Sequence, residues 1–215
     1  MQKFLLIALL AFGLLLAGCA GTPPAAPVNA STQANGYSTN ETFALNTSSP
    51  APIKNNTNQV IMLNKNNPIV VFETTKGTFE AEIYVNEAPI TGNNFMKLVR
   101  SGFYNNLTFH RVIPGFMAQG GDPLGTGLGG SNETIPLEIK PNLKHKLGTL
   151  AMARSQNPNS ASSQFYIVNG EASFLDGSYA VFGQVLGDGM KVVLAFAPGE
   201  PPATPDRMLK VYEKK

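Results

Sequence analysis

The feature that most constrains this chain is the stretch from Pro68 to Val85, PIVVFETTKGTFEAEIYV. Thr75, Lys76 and Gly77 break it into two β-prone runs. In the second run Phe79, Ala81, Ile83 and Val85 alternate with Glu80, Glu82 and Tyr84, which gives one apolar and one polar face. Period-two alternation beside a glycine-containing break predicts a β-hairpin. Short β-prone runs then recur at Thr108–Val112, Met117–Gly121, Gly148–Ala153, Gln164–Asn169 and Val181–Val185, between Gly- and Pro-rich loops. The closing RMLKVYEKK is a candidate last strand. Pro89 opens one helix, where its missing N–H costs nothing. Phe95, Leu98 and Val99 share a face of that helix, and Gly102 stops it. Asp188 is a candidate cap for a second, short helix with Met190, Val193 and Leu194 inward. No βαβ alternation is present, so a parallel sheet is not expected. Many short strands with two helices predict a mainly β fold, a closed or nearly closed antiparallel barrel without an exposed edge.

Residues 1–65 differ in kind. Lys3 is followed by an uncharged apolar run, Phe4–Ala17, shorter than the roughly 18 residues of a spanning helix. The run leads into LAGC, and Cys19 is the only cysteine. This resembles a lipoprotein signal sequence: residues 1–18 form the signal peptide, and a lipid on Cys19 holds the protein to a membrane outside the cytoplasm. Two or more acyl chains make such attachment stable. Residues 19–65 are rich in Ala, Pro, Ser, Thr and Asn and keep no helical or strand period, so they read as a flexible tether. Asn-x-Ser/Thr triplets occur at Asn29, Asn40, Asn46, Asn55, Asn106 and Asn132, most of them in the tether. Residues 66–215 form the folded domain.

Composition narrows the function. A net charge of +2 is too small for a nucleic-acid partner, which needs a strongly basic face. Two histidines, His110 and His145, are too few for a His-based metal site, and both read as structural. No cofactor motif is present. No long amphipathic face is left over, so a monomer is expected.

Three stretches carry a resemblance: FHRVIPGFMAQGGDP from Phe109, SSQFYIV from Ser162 and FLDGSYAVFGQV from Phe174. In this order they resemble a cyclophilin-type peptidyl-prolyl cis/trans isomerase over residues 67–212. The resemblance implies a closed eight-stranded antiparallel β-barrel with a helix over each end, no metal and no cofactor. It implies proline-containing polypeptides as substrates. Arg111 matches the family's catalytic arginine. Phe116, Met117, Tyr166 and Leu175 match the proline pocket, and Gln119 and Gln164 match amides that bind substrate backbone. Ala153 and Arg154 match a segment that pairs with extended substrate, and Gly127 lines a neighbouring subsite. Arg154 and the loop after it resemble the prokaryotic branch.

Three positions depart from the commoner pattern. Tyr166 replaces a Phe, and its hydroxyl is expected to rim or narrow the slot. Phe174 replaces a Trp and Tyr179 a His, both on the pocket rim. His110 is expected to pack beside the pocket with a structural hydrogen bond. A general-base role for it is rejected, since turning a peptide bond transfers no proton. The Pro-rich stretch Pro198–Pro205 carries no motif. The expected activity is prolyl isomerisation of exported proteins. The competing readings are a non-catalytic proline-binding or chaperone module and a passive lipoprotein scaffold.

Overall fold

The computed structural model describes residues 66–215; Cys19, the signal sequence and the tether lie outside them. Eight strands form: β1 (Ile69–Thr74), β2 (Gly77–Ile83), β3 (Phe109–Ile113), β4 (Met117–Gly120), β5 (Thr149–Met152), β6 (Phe165–Val168), β7 (Val181–Val185) and β8 (Met208–Glu213). Helix α1 spans Pro89–Arg100, and α2 is a single turn, Met190–Val193. All pairings are antiparallel, in the order β3-β4-β6-β5-β7-β2-β1-β8.

Period two decides what each strand buries. Val70 and Phe72 of β1, Phe79, Ala81 and Ile83 of β2, and Phe165 and Ile167 of β6 point inward. There Phe72 stacks on Phe79 at 4.6 Å, and Phe95 of α1 meets Phe165 edge-on at 5.4 Å. Helix α1 begins at Pro89, and the carboxylate of Glu138 accepts the Thr91 N–H at 2.8 Å. It ends where Gly102 takes φ +72°, a turn that favours glycine.

Four expectations need correction. The sheet is an open half-barrel, not a closed barrel. Its end strands meet only at a corner, where Thr108 bridges Arg207. Past that corner Val112 of β3 pairs instead with Gly199, through bonds of 2.8 and 2.9 Å, so the Pro-rich segment takes the place a lengthened β8 would need. Glu82 is buried rather than on a polar face, and accepts a 3.0 Å hydrogen bond from Asn67 Nδ2. Asp188 does not cap α2; it lies exposed in the preceding turn, paired with Lys191 at 2.8 Å. Leu194 is exposed rather than inward, although its backbone continues the helical turn and its N–H donates to the Met190 carbonyl at 2.9 Å.

Candidate active site

The alternation that sends Phe165 and Ile167 inward sends Tyr166 and Val168 to the outer face of the sheet. Register then builds a row across four strands: Arg111 stands opposite Gln119, Gln119 opposite Tyr166, and Tyr166 opposite Ala151. Met117, Ala151, Tyr166 and Val168 form a second, smaller apolar cluster there, with Phe116, Leu175 and Tyr179 packed on it. Over this cluster opens a slot of about 160 Å³. Its walls are Arg111, Phe116, Met117, Gln119, Ala153, Arg154, Tyr166, Leu175 and Tyr179, so the structure brings all nine of these expected site residues together.

Others fall beside the slot. Phe174 does not line it; the ring is exposed and stacks on Phe116 at 5.4 Å. Gln164 and Gly127 line an adjoining cavity of about 230 Å³. His110 and Gly127 share a third cavity of about 370 Å³ with Arg111 and Glu200.

The polar groups are already organised. Gln119 donates to the side-chain oxygen of Gln164 at 2.8 Å. Gln164 in turn donates to the carbonyls of Gly127 and Gly129 at 3.0 and 2.7 Å. Gln164 is thus spent on holding the 127–129 loop, and the oxygen of Gln119 is left for a ligand. Arg154 donates to the carbonyl of Ser178 at 2.8 Å and lies 4.6 Å over the Tyr179 ring, so it acts as a wall of the groove. Asp122, fully buried, accepts from the backbone N–H groups of Leu124, Thr126 and Gly127 at 2.6–2.9 Å. Burial alone would raise its pKa, but these donors hold it below the usual carboxylate range.

The expected hydrogen bond of His110 does not form. Its ring is buried, and neither ring nitrogen has a partner among the described residues. Gly127 passes beside the ring, but its N–H is donated to Asp122 at 2.6 Å. Burial pushes the imidazole pKa down, so the ring is neutral near pH 7. The Tyr166 hydroxyl neither rims nor narrows the slot. It points away from it, to Nε2 of His145 at 2.9 Å, while Nδ1 of His145 meets Asp176 at 2.8 Å.

Sequence reasoning missed Glu200, whose carboxylate accepts the Nε–H of Arg111 at 2.6 Å. It also missed Asp122. The only local signal for Asp122 is its place before a run of glycines, which suits a carboxylate ringed by backbone amides.

The family model for cyclophilin type peptidyl-prolyl cis-trans isomerase/CLD matches residues 69–213, which is every strand and both helices. The chain belongs to the cyclophilin family. A peptidyl-prolyl cis-trans isomerase of Synechococcus elongatus is 47% identical over 142 residues, 66% of this chain and 92% of the relative. A peptidyl-prolyl cis-trans isomerase-like 1 protein of Aspergillus fumigatus is 48% identical over 128 residues, 58% of this chain and 78% of the relative. A cyclophilin type peptidyl-prolyl cis-trans isomerase of Cryptosporidium parvum has a solved structure with TM-score 0.65 and 30% identity, covering 69% of this chain and 98% of its own. The same protein, solved in the presence of the dipeptide Ala-Pro, gives TM-score 0.64 and 31% identity. Family membership makes this cyclophilin an enzyme of the peptidyl-prolyl isomerase class. Among the described residues no cluster of His, Cys, Asp and Glu suits a metal ion.

Proposed function

We propose that this cyclophilin isomerises X-Pro bonds by stabilising the twisted amide from Arg111 over the apolar slot. The observation that carries the reading is the slot itself: an apolar cluster of Met117, Tyr166 and Leu175 beside two guanidinium groups, of which Arg154 is engaged with Ser178 and the Tyr179 ring and Arg111 faces the slot from β3. Its volume of about 160 Å³ is well below the roughly 300–1,000 Å³ of a drug-sized ligand site, and suits a single ring. The relative solved in the presence of Ala-Pro supports proline as that ring's source.

The barrier to turning an X-Pro bond is about 20 kcal/mol and arises from amide resonance. As the bond twists, the nitrogen recovers its lone pair. A donor aimed there interacts with the twisted form more strongly than with either planar form, and that difference is what lowers the barrier. Arg111 supplies N–H groups in a rigid planar fork. The Gln119 oxygen accepts from substrate backbone. Removing about 5–7 kcal/mol from the barrier accelerates the reaction about 10⁴–10⁵-fold. Neutral, buried His110 has no proton to move in this scheme.

Arg111→Ala tests the reading with a proline tetrapeptide. Loss of at least about tenfold in kcat/KM with the fold intact supports it. Peptide binding with no turnover in the wild type would instead favour the non-catalytic binding module.

The apolar run Phe4–Ala17 and the LAGC ending support a membrane-tethered enzyme acting on exported proteins. Cys19→Ser then releases the protein from membranes; an unmodified mature terminus at another cleavage site would end that part of the proposal. A prokaryotic origin rests on Arg154 and the loop after it.

A further inference from the structure

Glu200 lies in the segment that motif reading left unassigned, yet it is the one carboxylate paired with Arg111 among the described residues. Its position is built from the backbone. Val112, next to Arg111 on β3, exchanges two hydrogen bonds with Gly199, which sets Glu200 beside the guanidinium. Gly199 has φ +148°, and a Cβ there would come within 2.5 Å of Pro202, so only glycine fits this turn. The base of the segment is closed by buried Asp206, which accepts the Ala197 N–H at 2.8 Å and the Thr75 hydroxyl at 2.6 Å. Two anchors, one on each side, thus hold Glu200 against β3.

The pair is a poor source of stability. Both side chains are substantially exposed, at 38% and 52%, and exposed ion pairs contribute little. What the contact fixes is orientation. A guanidinium is a planar fork, so engaging Nε at 2.6 Å fixes its plane and leaves the Nη donors as the ones free for substrate.

We infer that Glu200 is a positioning residue for Arg111: it takes the Nε–H and so aims the Nη groups of the guanidinium at the proline slot. The inference rests on Arg111 acting on the twisted amide, as proposed above. Preorganising a donor before the reaction raises turnover more than it raises ground-state binding.

The test compares wild type, Arg111→Ala, Glu200→Ala and Glu200→Gln on one proline tetrapeptide, with kcat and KM resolved. The Arg111 Nε–H signal is followed by NMR in the full-length folded proteins. Glu200→Ala is expected to lower kcat about fivefold with KM changed by less than about twofold, since alignment is lost and binding is not. Glu200→Gln keeps an acceptor oxygen and restores most of the turnover. The Nε–H signal stays protected from exchange in wild type and Glu200→Gln and loses protection in Glu200→Ala. Full turnover in Arg111→Ala would overturn the arginine mechanism itself. Slow Arg111→Ala beside a fully active Glu200→Ala would overturn the positioning role alone. A defect in Glu200→Ala that Glu200→Gln fails to relieve would overturn it too, because the acceptor oxygen is what the inference requires.

Discussion

The hydroxyl of Tyr166 lies 2.9 Å from Nε2 of His145, behind the wall of the slot it helps to form. His145 continues the chain to Asp176, whose neighbour Leu175 is another wall of the same slot. The extra oxygen of this tyrosine therefore ties two walls together from behind and leaves the apolar face of the ring to the ligand. Tyr166→Phe keeps that face and leaves His145 Nε2 buried without its partner. It is expected to cost about 1–3 kcal/mol of stability while changing kcat/KM less than about threefold. Urea unfolding and a tetrapeptide assay on the same preparation check both halves. A large loss of turnover at unchanged stability would place the hydroxyl in the reaction instead.

Arg111→Lys keeps the charge and loses the fork. The ammonium cannot engage Glu200 and substrate in the guanidinium's fixed geometry. Turnover is expected to fall at least about tenfold, or about 1.4 kcal/mol of transition-state stabilisation. A lysine enzyme as fast as wild type would mean that positive charge alone is sufficient.

Asp122→Asn probes the loop that carries Gly127. The folded carboxylate titrates below its ordinary 3.8, so wild type gains stability above that value and loses it as pH falls through the lower, folded pKa. At pH 7 the asparagine variant is expected to be less stable by about 1.5–3 kcal/mol, the scale of hydrogen bonds to a charged group. The gap narrows once the wild-type carboxyl is protonated. Denaturant midpoints of both proteins at pH 7 and in strong acid measure it; a gap that stays constant would remove the carboxylate charge as its cause.

Phe174→Ala removes an exposed ring that stacks on Phe116, a wall of the slot. Stability is expected to change by less than about 0.5 kcal/mol, the usual scale for surface positions. KM for peptides is expected to rise with kcat retained, because the rim is loosened and Arg111 is untouched. A fall in kcat with constant KM would count against this placement of the rim.

Much of the fold was legible because each strand announces itself locally. β7 falls on Val181–Val185 as expected, and the other strand ends shift by only a residue or two. The slot was legible through resemblance, since its nine walls come from four separate stretches that no periodicity connects. What was not legible depends on contacts distant in sequence. Glu200 meets Arg111 only because Val112 pairs with Gly199. The open seam has the same origin. Glu82 reads as an outward acid, yet Asn67, far from it in the chain, gives it a buried partner.

The Pro-rich segment along β3 has one more consequence. An enzyme that handles extended polypeptide is surrounded by chains able to add themselves to any unpaired strand. An open half-barrel offers such a template at each end strand. Beside β3 the place is taken by a segment in which Pro201, Pro202 and Pro205 have no N–H to offer a newcomer. The residues that stand where the barrel would close thus leave fewer N–H donors along β3 for an added strand to use.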